Sequence, residues 1–224
     1  MINTGSLAAH NADLVNCYTT VHAIDGYDGY VEMDGTADYT VAYFGGYPLA
    51  SDILRTEDRS YVMVWDIFAD IASNAYLTLC TALSSNNGWG WLYNNSAGQL
   101  KSQYLFGGGV TDLDTTTGTN DAVGGSAEDL ATTGVGAPRR TILAVTYEHA
   151  TGATVIRWKQ TGHGVGHTYV AGTSAADNSA GAAVPRWMGW STGAVNVAQW
   201  RYLAVVDTVL TSLQFEGLAE AAQL

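Results

Sequence analysis

One helix signal, placed at the close of a chain that otherwise shows no long helix, constrains this fold more than any other feature. Leu210-Thr211-Ser212-Leu213-Gln214-Phe215-Glu216-Gly217-Leu218 follows a β-rich stretch from Val195 to Val206. Thr211 can accept a hydrogen bond from the backbone of a first helical turn, and Gln214, three residues on, can reach back to the backbone of Thr211. Leu210, Phe215 and Leu218 then face the body of the protein. Everything upstream alternates, or is broken by glycine. The chain therefore predicts an all-β domain closed by one short C-terminal helix.

The alternation marks the strands. Tyr30–Met33 is a short strand after the turn Asp28-Gly29. Arg59–Phe68 is apolar on both faces around Trp65, as a central strand should be. Ala75–Leu83 is another strand. Trp89–Tyr93 follows a turn at Asn86-Asn87-Gly88 and pairs with Gln99–Phe106 across a loop of turn residues. Thr141–Tyr147 and Thr154–Lys159 form a hairpin about Ala150-Thr151-Gly152. Weaker strands cover His167–Val170 and Trp187–Trp190, and Val195–Val206 ends the sheet. Two stretches break the rhythm. Gly107–Pro138 and Ala171–Pro185 are rich in Gly, Thr, Ala, Ser and Asp, and read as functional loops.

At 224 residues the chain suits one undivided domain, residues 1–224, with 1–16 read as an N-terminal arm. Nine basic residues against twenty-one acidic ones give a net charge of −12, which repels phosphate backbones and anionic lipid. Nucleic acid and membrane are thus disfavoured as partners. Cys17 and Cys80 sit beside apolar or aromatic residues and read as buried free thiols, with a single disulfide between them as the alternative. The N-terminus has no basic segment followed by an apolar run, so no signal peptide is expected.

Read in order, the strands resemble the concanavalin A-like superfamily, in its laminin G-like branch. Ala23–Val31 resembles that branch's "F-D-G-x-x-D-Y-V" strand, and Ser60–Trp65 its "F-T-V-S-x-W" strand. Gly88–Tyr93 resembles "G-W-x-L-x-x", Arg140–Tyr147 resembles "H-H-V-A-V-T-Y", and Val205–Leu218 resembles the closing strand and helix. The resemblance implies a two-sheet antiparallel jelly-roll β-sandwich that binds glycans or proteins through its rim loops. Lys159–His167 replaces the short turn common in the family, and no motif places the family's calcium ligands.

Several residue sets carry side chains capable of chemistry. Trp89, Trp91 and Tyr93 alternate and share one face of a strand, where they form either an aromatic platform for a sugar ring or core mass. Trp187 and Trp190, beside the second loop, carry the same ambiguity. These five residues are the candidate ligand-binding set. Paired carboxylates suited to glycoside hydrolysis are approached only by Glu32-Met33-Asp34, which lacks a second Glu further along and belongs with a turn. His163 and His167 flank a glycine-rich turn without a visible third ligand, so no metal site is expected there. Asp112, Asp114, Asn120 and Asp121 offer hard oxygens suited to calcium, but their spacing matches no calcium loop. No cofactor is expected.

These readings favour a non-enzymatic binding or structural module. The external role typical of the resembled fold, without an export signal, is met by a bacteriophage virion protein: a capsid decoration or tail-fibre component released by lysis. Its partners are other virion proteins or copies of itself in a homo-oligomer, with host-surface glycan as ligand. The alternative is a glycoside hydrolase or lyase of the same fold acting on a polysaccharide.

Overall fold

The strongest β signals fall where Val, Ile, Tyr, Trp and Thr cluster, since branched and aromatic side chains fit a pleated, buried surface. In the computed structural model these signals become the middle of a sheet. The structure describes residues 10–15, 18–20, 30–33, 39–44, 57–67, 87–94, 99–106, 109–114, 119–122, 139–162, 165–173, 186–187 and 198–224.

In chain order the strands are β1 (His10–Val15), β2 (Tyr18–Thr20), β3 (Tyr30–Met33), β4 (Tyr39–Phe44), β5 (Arg59–Ile67), β6 (Asn87–Asn94) and β7 (Gln99–Phe106). They continue as β8 (Gly109–Asp114), β9 (Thr119–Asn120), β10 (Arg139–Tyr147), β11 (Ala153–Gln160), β12 (Thr168–Thr173), β13 (Arg186–Trp187) and β14 (Ala198–Val206), followed by helix α1 (Ser212–Ala221). Eight strands make one sheet in the order β2-β3-β14-β5-β10-β11-β12-β9. Two three-stranded sheets, β1-β4-β13 and β6-β7-β8, complete the set. The neighbouring strands pair antiparallel, as in an all-β sandwich.

The last strand, β14, inserts between β3 and β5, so the middle of the sheet joins segments far apart in the sequence. Its pairing with β5 shifts register between Trp200 and Tyr202. A bulge there re-aims one side chain, and Arg201 uses it: its Nε donates to Asp66 Oδ2 at 2.6 Å. Arg140 donates to the same carboxylate, through Nε to Oδ1 at 2.8 Å.

Helix α1 packs on one face of the sheet. Phe215 and Ala219, with Leu210 just before the helix, bury against Val62 and Val64 of β5 and Ile142 and Ala144 of β10. Thr211 and Gln214 form the expected capping box: the Gln214 N–H donates to Thr211 Oγ1 at 3.2 Å, and the Thr211 N–H to Gln214 Oε1 at 2.9 Å. Ser60 Oγ accepts the Leu210 N–H at 3.0 Å, which pins the turn between β14 and α1 to the sheet. Arg140 Nη1 reaches the Ala222 carbonyl at 3.4 Å. A guanidinium at that point complements the negative end of the helix dipole.

Four expectations need correction. The stretch Gly107–Pro138 is not all loop: Gly109–Asp114 and Thr119–Asn120 are strands β8 and β9. Pairing with β7 and with β12 satisfies their backbones, and that tertiary context overrides turn-rich composition. Asn87 and Gly88, read as a turn, open β6 for the same reason, opposite Phe106 and Leu105. Of the segment read as an arm, residues 10–15 form β1, paired with β4. The first residues of the second loop, 171–173, belong to β12. Cys17, Cys80 and the strand expected at 75–83 lie outside the described residues. No described helix is long and apolar enough to cross a membrane.

Candidate functional site

The described side chains that could do chemistry gather where β9, β12 and α1 meet. β9 is only two residues long and joins the sheet edge through Asn120 opposite Thr168 and Thr119 opposite Tyr169. Its last turn is held locally: Asn120 Oδ1 accepts the Ala122 N–H at 3.0 Å, an Asx turn. Asp121 then locks to the start of β12 twice. Its backbone N–H donates to the His167 carbonyl at 3.0 Å, and its Oδ1 accepts the His167 N–H at 2.8 Å. This close approach requires glycine at 166. Gly166 has φ +83°, and a Cβ there would lie 2.3 Å from Asp121 Oδ1.

His167 is buried at 1% exposure, with Phe215 of the helix packed edge-on at 5.0 Å between ring centroids. Its Nδ1 lies 2.5 Å from Glu216 Oε1 and 3.2 Å from Asp121 Oδ2. His167 Nδ1 therefore faces two carboxylates, one from the turn after β9 and one from α1. Cations flank them. Lys159 Nζ donates to the other Glu216 oxygen at 3.3 Å. Arg157 lies two residues before Lys159 on β11, so both project to the helix side of the sheet. Burial pushes the Arg157 guanidinium below its ordinary range, while the nearby Asp121 carboxylate acts in the other direction. Arg157 Nη1 is buried without a hydrogen-bond partner.

Asp121, His167 and Glu216 each offer one ligand atom, and these atoms lie within 4.8 Å of one another. A nitrogen and two carboxylate oxygens can hold a proton between them or coordinate a cation. They are poorly placed for glycoside hydrolysis. Two catalytic carboxylates must flank a sugar linkage, and here both carboxylates converge on one nitrogen, His167 Nδ1.

The aromatic candidates fall elsewhere. Trp89, Trp91 and Tyr93 occupy alternate positions of β6, opposite Tyr104, Ser102 and Leu100 of β7. Trp187 lies in β13, opposite Thr40 of β4, and Trp190 lies outside the described residues. The structure thus distributes Trp187 and the β6 aromatics over two different sheets. Glu32 sits in β3 opposite Tyr18 and Gln199, while Asp34 lies outside the described residues. Asp112 and Asp114 are in β8, apart from Asp121 on its turn after β9. His163 lies outside the described residues, and the acidic partners of His167 are Asp121 and Glu216 instead. Sequence reading had singled out Asp121 and His167 separately. Glu216 carried no signal beyond its place in the helix.

No protein-family model matches the chain, and no curated protein matches it. Solved structures do. The chain is similar to the binding domain of botulinum neurotoxin serotype D, with a TM-score of 0.62 and 12% identity, over 100% of this chain and 48% of that one. It is also similar to the binding domain of botulinum neurotoxin DC solved in complex with SialylT, with a TM-score of 0.60 and 10% identity, over 98% and 48% of the two chains. The same domain in complex with rat synaptotagmin II gives a TM-score of 0.59 and 10% identity, over 95% and 46%. The chain spans about half the length of the solved structures it matches. At such identities the likeness establishes a shared β-sandwich fold.

Proposed function

We propose that this chain is a non-enzymatic binding module: one domain over residues 1–224, built as a two-sheet jelly-roll of the concanavalin A-like, laminin G-like kind, that recognises a glycan. The supporting observation is the fold likeness along essentially its whole length to botulinum neurotoxin binding domains, one of them captured both with SialylT and with rat synaptotagmin II. The charge balance agrees, since a net −12 disfavours nucleic acid and anionic lipid. A further support is the carboxylate inventory. Among the described residues of β5, β10, β11 and β12 the one carboxylate is Asp66, and two arginines hold it.

The sugar-binding surface we propose is aromatic: Trp89, Trp91 and Tyr93 on β6, with Trp187 and Trp190 near the second loop. Sugar rings present C–H faces that stack on such side chains. The carrier we propose is a bacteriophage particle, with the chain as a homo-oligomeric capsid decoration or tail-fibre component that meets host-surface glycans. The N-terminal residues ahead of β1 would dock it to virion partners.

A glycan array probed with the purified chain and with W89A/W91A and W187A/W190A tests the binding reading. Loss of a defined glycan signal in one double variant, with an unchanged circular dichroism spectrum, supports it. An array with no signal at all refutes glycan recognition. A mass-spectrometric inventory of purified particles against soluble lysate tests the carrier. Enrichment in the lysate alone refutes the virion role.

A further inference from the structure

We propose that Asp121, His167 and Glu216 form a site for a divalent first-row transition-metal ion, zinc fitting best, at the joint between β9, β12 and helix α1. The proposal is independent of glycan binding.

The donor arithmetic at this joint leaves room for a positive centre. A neutral imidazole carries one N–H, on one of its two nitrogens, yet Nδ1 faces two carboxylate oxygens, at 2.5 and 3.2 Å. One straight N–H hydrogen bond can serve only one of them. A cation placed among the three atoms satisfies all of them at once. Ligand chemistry selects the ion. Calcium and magnesium favour all-oxygen sets, whereas one imidazole with carboxylates suits zinc and its neighbours.

One edge of the cluster already has the spacing of a tetrahedral zinc site. Zinc bonds of about 2.0–2.1 Å separate neighbouring ligand atoms by about 3.4 Å. The spacing from His167 Nδ1 to Asp121 Oδ2 is 3.2 Å, near that value. The Glu216 oxygen must withdraw by about 1 Å to reach the same geometry. Glu216 has room to do so, because its side chain is 32% exposed.

Two of the ligands are held by contacts outside the cluster centre. Phe215 packs against the His167 ring, and the His167 backbone N–H holds the other oxygen of Asp121. Gly166 clears the space that the Asp121 carboxylate occupies. The partial exposure of Asp121 and Glu216 leaves the fourth position facing solvent, where water can complete the sphere.

Lys159 competes for Glu216, and Arg157 offsets the charge of Asp121, so both oppose cation entry. This competition makes the site testable. The full-length chain, stripped with chelator, is titrated with zinc chloride by calorimetry, with melting temperature and bound metal measured in parallel. One zinc per chain and a saturating rise in Tm, reversed by EDTA, are expected. E216Q and D121N alter partly exposed side chains and should keep the native spectrum while weakening zinc binding at least about a hundredfold. K159M removes the competitor and should tighten binding about tenfold. Absence of stoichiometric zinc, equal binding of calcium, affinity unmoved by both E216Q and D121N, or weaker binding in K159M would each overturn the proposal.

Discussion

Phe215→Ala is the sharpest test of how the C-terminal helix holds the sheet. The ring is fully buried against Val62, Val64, Ile142 and Ala144, with Leu210 and Ala219 beside it. Phe-to-Ala changes in cores cost about 3–5 kcal/mol, depending on how well the site collapses. Collapse is restricted here. The floor of the site is β5 and β10, interior strands of an eight-stranded sheet that are fixed by partners on both sides. A loss of about 4 kcal/mol is therefore expected, near the middle of that range. For a chain of this size that is a fall in Tm of roughly 8–16 °C. Leu213, two residues earlier on the same helix, is 81% exposed, and L213A should stay within about 0.5 kcal/mol of wild type. Urea unfolding followed by tryptophan fluorescence and circular dichroism measures both. A loss below about 1 kcal/mol for F215A, or equal losses for the two variants, would refute the packing argument.

Three further substitutions probe the same framework. T211A removes the acceptor of the capping box and should cost about 1 kcal/mol in urea unfolding. G166A and G162A form a matched pair, since both glycines have φ near +84° but only Gly166 is crowded. G162A should cost about 1–2 kcal/mol for its backbone alone, and G166A clearly more, because a Cβ there meets Asp121 Oδ1 and Ala122. Equal thermal shifts for the pair would argue against the close approach at the β9–β12 joint. D66A leaves Arg140 and Arg201 without their shared carboxylate. Both guanidiniums retain some solvent contact, so the loss should sit near about 3 kcal/mol, the low end for a broken buried pair. A change below about 1 kcal/mol would mean that water replaces Asp66 fully.

The parts of this fold that sequence reading captured are those with local causes. The capping box needs only Thr211 and Gln214, three residues apart. The hairpin of β10 and β11 needs only two alternating runs and a glycine turn, and Gly152 has the positive φ such a turn requires. β8 and β9 were obscured because Gly109, Asp112, Asp114 and Asn120 give them turn-like composition. Their strand character comes from partners, β7 and β12, which composition does not reveal. The Asp121–His167–Glu216 joint was illegible for a stronger reason. Asp121 is 46 residues from His167, and Glu216 is 49 residues beyond it. Their meeting depends jointly on β9 pairing with β12 and on Phe215 docking, and neither event leaves a local pattern.

The two faces of the sheet also explain why chemistry collects at its margins. Helix α1 covers the face that carries Val62, Val64, Ile142 and Ala144. Register places Tyr61, Met63, Trp65, Leu143, Val145, Tyr147, Ile156 and Trp158 on the opposite face. Every one of these is exposed by 2% or less, although α1 lies on the other side. Apolar surface of that extent is stable only under another layer of chain, which is the physical basis for proposing two stacked sheets. A face so filled cannot double as an open groove for a polysaccharide. Under the proposed binding role, the ligand would meet strands outside this packed centre and the turns around it. The joint at His167 fits the same logic, because it forms where the short edge strand β9 ends and the helix overhangs the sheet.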